Sequence, residues 1–355
     1  LLPRRTRDVL IELVEGQARG GVLGIVPVES KLDRHRARVG RFIGASGDEI
    51  AFLRNTGDGA NVVARGLDWQ PGDELIVCDN EFGSNALPWL ALREVGVVPR
   101  IVETARERLT PDVLRRMMTP RTRLVAVSWV SFGDGYRHDL AGLAEVAHEG
   151  GALFCVDVMQ ALGAFGLDVK ATGIDALYAG GAKWLLAVPG VSFLYVSRAL
   201  QGKLAVRWRG WRDVDDIWNF LAYDQPLAPN ASRYEGGTLN YLGVAALTSS
   251  MDVLDEAGVP AISRHVLALV AELRATLTAA GAHVLGDPSP AVASGIVTFT
   301  LPGVDPIELG RALGADGIVT TYRTSGIRVS PHGHNSPDDI AALLSGIERF
   351  KAKRS

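Results

Sequence analysis

Three polar residues stand where the sequence is otherwise most apolar. Asp157 sits near the end of the run LFCVDV, Gln160 follows three residues on, and Lys183 lies in GGAKW between ALYAG and SFLYV. A lysine amine among apolar neighbours loses hydration, which lowers its pKa and frees it as a nucleophile toward an aldehyde. The same side chain could instead run its aliphatic stem along the surface and keep its ammonium in water. A carboxylate at the carboxyl end of a parallel strand stands where such sheets bind ligands. Asp157 could there hold a heteroaromatic nitrogen protonated, as pyridoxal phosphate needs if its ring is to accept electrons. It could equally cap the next helix. Gln160 is placed to hydrogen-bond the ring hydroxyl.

Two further stretches carry chemistry-bearing residues. RNTGDGANVVARGL (54–67) reads as a strand end, a Gly-rich turn and a helix. Backbone N–H groups of Gly57 and Asp58 at that helix N-terminus, with the Thr56 hydroxyl, would make a phosphate cradle. The pattern is neither the P-loop nor the dinucleotide fingerprint, and a plain capping turn with Asp58 near the N-cap is the other reading. In GIRVSPHGHNSPDD (326–339), Arg328 on a strand could clamp a carboxylate through two parallel hydrogen bonds, or lie on the surface. HGH (332–334) has His-x-His spacing without a carboxylate or Cys partner pattern, so no metal is expected.

These residues need a scaffold, and the hydrophobic pattern supplies one. Strand-like runs at 49–54, 74–79, 97–103, 123–130, 153–158, 176–180 and 192–196 alternate with helical stretches. Several are continuously apolar, as strands buried on both faces require. Alternating strand and helix predicts an α/β fold with a mostly parallel seven-stranded sheet between helices. Thr110 and Pro111 open one helix, Ser336 and Pro337 another. After RYEGGTLN (233–240) come long amphipathic helices over 240–256 and 261–280. Short strands at 295–301, 317–323 and 327–330 and a terminal helix complete a smaller α+β domain.

Composition narrows the function classes. The 355 residues carry 47% hydrophobic and 22% charged residues with net charge −3, so nothing favours nucleic acid or an anionic membrane. Two cysteines, Cys78 and Cys155, fall in apolar runs, which excludes a disulfide framework and fits a reducing, cytoplasmic location. No run reaches the roughly 20 apolar residues of a membrane span. The opening LLPRRTRDVL has no initiator Met and no signal-peptide order, so native residues are expected upstream.

Asp-x-x-Gln, then about two dozen residues to Lys-Trp-Leu with Pro-Gly soon after, resembles the class V aminotransferase family of fold type I pyridoxal-phosphate enzymes, which includes cysteine desulfurases and isopenicillin N epimerase-like proteins. RNTGDGAN resembles its phosphate loop and GDELIVCDNEFGSNALPW its next strand and helix. RYEGGTLN is similar to its segment reaching the neighbouring subunit, and IRVSPHGHNSPDDI to its carboxylate-binding strand. The resemblance implies a Schiff base between pyridoxal 5'-phosphate and Lys183, Asp157 on the pyridinium nitrogen and Gln160 on the ring hydroxyl. It also implies Thr56, Gly57 and Asp58 around the phosphate, and Gly237 and Thr238 donating across a homodimer interface. Arg328 would grip the substrate carboxylate. It further implies a large cofactor domain over 16–250 and a small domain over 251–355 with residues 1–15.

Departures from the family pattern bear on the reaction. Desulfurases carry a nucleophilic Cys before the clamp arginine, where this chain has YRTSG (322–326), so a sulfur relay is disfavoured. Where the family often has a His over the ring, this chain has Gly83; Phe82 is the candidate ring-stacking residue and Trp129 its rival. GGA before Lys183 lacks the Ser and His that assist the phosphate in desulfurases. The expectation is an amino-acid enzyme, aminotransferase first. An epimerase or β-eliminating lyase comes next, and a non-catalytic pyridoxal-phosphate protein is the rival from another class.

Overall fold

A computed structural model describes residues 2–354. It divides into two units. The first comprises residues up to Trp129 together with Asp139–Ala257, the second Val130–His138 with the chain from Gly258 onward. The domain reading above places residues 1–15 with the C-terminal part, whereas the helix Arg4–Gly20 falls in the first unit. Its attachment is physical: buried Thr6 hydrogen-bonds Ser250 at 2.9 Å, and Arg5 pairs with Glu256 at 2.6 Å, both on the helix Tyr241–Ala257.

The first unit is built on seven strands: β1 (Ile50–Leu53), β2 (Glu74–Cys78), β3 (Val98–Val102), β4 (Thr122–Ser128), β5 (Leu153–Asp157), β6 (Ala176–Gly180) and β7 (Ser192–Val196). Their order is β1-β7-β6-β5-β4-β2-β3. Pairs from β3 through β6 are parallel, while β7 runs antiparallel to both β6 and β1. Consecutive residues of β5, β6 and β7 are buried, which is why these strands read as unbroken apolar runs. Ala60, Val63 and Ala64 of the helix Thr56–Gly66 join Tyr178, Cys155, Ala126 and Val77 in one core layer.

Close packing of that helix depends on Gly59. A Cβ built there would lie 2.7 Å from the Tyr178 Cβ. Gly59→Ala gains helix propensity worth about 1 kcal/mol but forces a clash against a buried ring, a cost of roughly 1–3 kcal/mol. We expect a net loss of stability, read as a lower urea midpoint at unchanged slope; a rise in the midpoint would contradict this packing.

The second unit carries a four-stranded antiparallel sheet in the order β10-β11-β9-β8. Its strands are β8 (His283–Val284), β9 (Val297–Thr300), β10 (Thr321–Arg323) and β11 (Gly326–Val329). Leu269, Leu273 and Leu277 of the helix Val259–Ala279 pack with Phe299, Ile327, Leu343 and Ile347 around it. The two-residue strand β8 has no counterpart in the sequence reading, because two residues are too few to show a period. Ser336 and Asp339 form a reciprocal capping box at the start of the last helix, as the SPDD stretch predicts.

Candidate active site

Six of the first unit's strands deliver their carboxyl ends to one edge of the sheet. Reversal at β7 keeps β1 aligned with β6, so the start of the helix Thr56–Gly66 shares that edge with the ends of β2, β4, β5 and β6. Contacts there are close. A Cβ built on Gly180, at the end of β6, would lie 3.0 Å from the Met159 side chain and 3.9 Å from the Thr56 methyl. One built on Gly57 would meet the Asn55 carboxamide at 3.2 Å and Ser84 at 3.9 Å. Thus Thr56, Gly57, Ser84, Met159 and the chain entering Lys183 converge.

Asp157 is buried at the end of β5 and accepts a hydrogen bond from the Met159 N–H at 2.7 Å. Desolvation pushes its carboxyl up to about 6, against the Met159 bond and the Lys183 charge, which both pull it down. Gln160 is buried beside it in the chain. A carboxylate held dry in this way is stabilised by a cation, such as a protonated ring nitrogen. Without that cation the sign of its contribution is fixed. A folded pKa raised from about 3.9 to about 6 means that the folded state binds the proton more tightly. Stability is therefore lost as pH rises through that window and stays lower above it. Asp157→Asn should stabilise the cofactor-free protein above pH 6 by up to roughly 3 kcal/mol, and the gap should close toward pH 4. Melting temperatures measured across pH test this; a variant no more stable at pH 8 would count against the dry carboxylate.

Lys183 lies on a loop returned to the sheet edge at both ends. The Gly181 N–H donates to the Val191 carbonyl at 2.9 Å, Ala187 to Gly181 at 2.8 Å and Leu186 to Lys183 at 3.0 Å. Leu186 adopts a positive φ of 55°, and its carbonyl accepts the Ser250 hydroxyl at 2.9 Å. A leucine in that left-handed conformation costs about 1–3 kcal/mol, which the surrounding hydrogen bonds offset. The ammonium stands 5.5 Å from the centroid of the Phe82 ring. Trp129 instead packs its ring on Phe165, centroids 5.9 Å apart. Of the two aromatic candidates, Phe82 is the one beside Lys183.

At the phosphate end, Asn55 is the N-cap and its carboxamide takes the Asp58 N–H at 2.9 Å. The Asp58 carboxylate pairs with Arg54 at 2.8 Å. The helix starts at Thr56, so the expected turn is its first turn. Thr56 and Gly57 supply the leading amides of that helix, and the Ser84 hydroxyl, absent from the sequence reading, stands near them. A helix N-terminus with two hydroxyls suits a phosphate ester, and Asp157 suits the far end of a pyridinium ring. The residues fit pyridoxal phosphate.

A supporting layer escaped the sequence reading. Glu81 accepts the Ser128 N–H at 2.7 Å, the Ser128 hydroxyl and the Asn85 amide at 2.9 Å. The Asn85 oxygen in turn accepts from Tyr178 and from Trp89. Desolvation raises Glu81 to about 7, and the Asp157 charge adds to the rise. Glu81 precedes Phe82, so this network fixes the ring's entry. Gly237, half-buried, and Thr238, exposed, follow Glu235, whose side chain is 1% exposed and joins Arg36 at 2.7 Å. Glu235 also accepts the Phe52 N–H at 3.0 Å, and Asp213 takes the Gly236 N–H at 2.8 Å. No local periodicity marks these long-range pairs.

In the second unit, Arg328 on β11 donates to the Phe132 carbonyl at 2.9 Å, while its buried Nε has no hydrogen-bond partner among the described residues. His332 and His334 stack with centroids 5.5 Å apart, and no group of three metal-ligating side chains occurs among the described residues.

The family model of class V aminotransferases matches residues 26–336. A probable cysteine desulfurase of Methanothermobacter thermautotrophicus is 32% identical over 94% of this chain and 86% of its own length. The apo cysteine desulfurase of Thermococcus onnurineus superposes with a TM-score of 0.90 at 25% identity, covering 99% of this chain and 92% of that one. A C-DES variant with glycine covalently linked to its pyridoxal-phosphate cofactor shares the fold, with a TM-score of 0.87 at 20% identity over 97% of this chain and 92% of that one. The chain belongs to the class V aminotransferase family and is a pyridoxal-phosphate enzyme of fold type I.

Proposed function

We propose that this enzyme is a carbon–sulfur lyase that acts on a cysteine-type amino acid and releases the sulfur group into solution. Relatives named cysteine desulfurases support a sulfur-bearing substrate. The observation that carries the rest is the place of the thiols. Cys78 and Cys155, the chain's two cysteines, are 3% and 0% exposed within β2 and β5. Burial also raises both thiols well above their ordinary range, which disfavours the reactive thiolate. Between β10 and β11 only Thr324 and Ser325 intervene, so the hairpin ahead of Arg328 offers no thiol-bearing loop. Sulfur expelled here would meet no exposed thiol of this chain.

Lys183 takes the α-proton; the Cβ–S bond then breaks and the thiolate leaves. The remaining three carbons depart as 2-aminoacrylate, which water converts to pyruvate and ammonia. Bound pyridoxal phosphate supplies the electron sink for the charge formed at Cα. Asp157 would keep its ring nitrogen protonated, Gln160 would bond its ring hydroxyl, and Phe82 would supply an aromatic contact beside Lys183. Thr56, Gly57 and Ser84 hold its phosphate; the Asp58 N–H is already committed to Asn55. Arg328 takes the substrate carboxylate. Gly237 and Thr238 serve the neighbouring copy in a cytoplasmic homodimer. Transamination is the second reading, because returning the same proton through Lys183 needs no further group.

The products decide. With L-cysteine and L-cystine we expect pyruvate and ammonia in equal amounts. Alanine in place of pyruvate would mean desulfuration, and a sulfur-bearing 2-oxo acid would mean transamination; either overturns the lyase.

A further inference from the structure

The hairpin β10–β11 brings a second arginine to the face that holds Arg328. Thr321 pairs with Arg328 and Arg323 with Gly326, so by the two-residue alternation of strands Thr321, Arg323 and Arg328 share one face. Arg323 and Arg328 are diagonal neighbours across the ladder, about 7–8 Å apart at the backbone and well within reach of long side chains. Both turn to one residue: the Arg323 guanidinium stands 5.2 Å from the Phe132 ring centroid, and Arg328 donates to the Phe132 carbonyl at 2.9 Å.

Like charges so placed repel, and burial followed by the Arg323 charge holds the Arg328 guanidinium below its usual range. No acidic side chain makes an ion pair with either arginine among the described residues. The Nε of Arg328 has no hydrogen-bond partner among the described residues. Unlike Arg36, which is neutralised by Glu235 and Asp33, this pair meets no counter-charge among the described residues. Arg323 is also exposed, which leaves its planar fork accessible to an anion.

We propose that Arg323 recognises a second anionic group on the substrate, so that the enzyme prefers amino acids whose side chain ends in a carboxylate or a comparable oxyanion. The inference rests on the reading of Arg328 as the clamp for the α-carboxylate. One arginine then fixes the end common to every amino acid, and the other selects the side chain. Phe132 spaces the two forks, its carbonyl holding one guanidinium and its ring carrying the other.

S-carboxymethyl-L-cysteine and S-carbamoylmethyl-L-cysteine have nearly the same shape and differ in charge. The holoenzyme should release pyruvate from the charged thioether with kcat/KM at least about tenfold higher, the scale of one charge-assisted hydrogen bond. In Arg323→Gln the ratio should fall toward one, and Arg323→Lys should restore part of it. Equal rates in the wild type, or a ratio that survives in Arg323→Gln, overturn the proposal. If neither thioether yields pyruvate, the lyase reading fails and binding decides about Arg323. By calorimetry, succinate should bind the holoenzyme about tenfold more tightly than butyrate, and Arg323→Gln should abolish the difference. Equal binding in the wild type would refute the second anion subsite whatever the reaction.

Discussion

Lys183→Ala should lower turnover by about 10³-fold or more while the protein still folds. Two roles are lost together. In the proposed mechanism the amine bonds to the cofactor's aldehyde and also serves as the base toward the substrate's α-proton, a role worth about 10²–10⁴-fold by itself. Folding should survive because Lys183 is only half-buried and its loop is held by backbone hydrogen bonds among Gly181, Ala187 and Val191. The structural readout is chemical. Borohydride followed by mass measurement should show the cofactor fixed to the wild-type chain and absent from the variant. A variant that retains a borohydride-fixed cofactor would move the covalent bond to another residue.

The second large effect belongs to Asp157. Asp157→Ala should reduce turnover by about 10²–10⁴-fold, because an unprotonated ring is a poor acceptor of the electrons released at Cα. Borohydride should still fix the cofactor through Lys183, which separates this variant from the first. The two effects should not multiply in the double variant if, as proposed, both groups serve the same proton transfer. Near-normal turnover in Asp157→Ala would remove the carboxylate from the mechanism and leave it as a cap for Met159.

Legibility from the sequence followed the range of the interactions involved. β5, β6 and β7 were plain because burial on both faces leaves unbroken apolar runs, and polar Asp157, Gln160 and Lys183 then stand out against them. Capping was legible at Thr110 and Ser336, where the accepting side chain and the donating backbone N–H lie within three residues. At Asn55 the same logic was missed, because Asp58 offered a competing cap one turn later. Glu81 and Glu235 were invisible for a different reason. Glu81 meets Ser128 from 47 residues away, and Glu235 meets Arg36 from 199, separations over which no local pattern persists. Fold therefore came from periodicity and the candidate site residues from contrast, while the polar framework around them needed coordinates.

The reversed strand β7 limits what the Lys183 amine can reach. Since β7 starts on the same edge where β6 ends, the eleven-residue span from Gly181 to Val191 is tethered at both ends, and Leu186 is tied down again through Ser250. An amine on so short a leash swings through a small arc. Proton removal and return should then be suprafacial, and a solvent deuteron delivered to the α-carbon should arrive with retention of configuration rather than as a racemate.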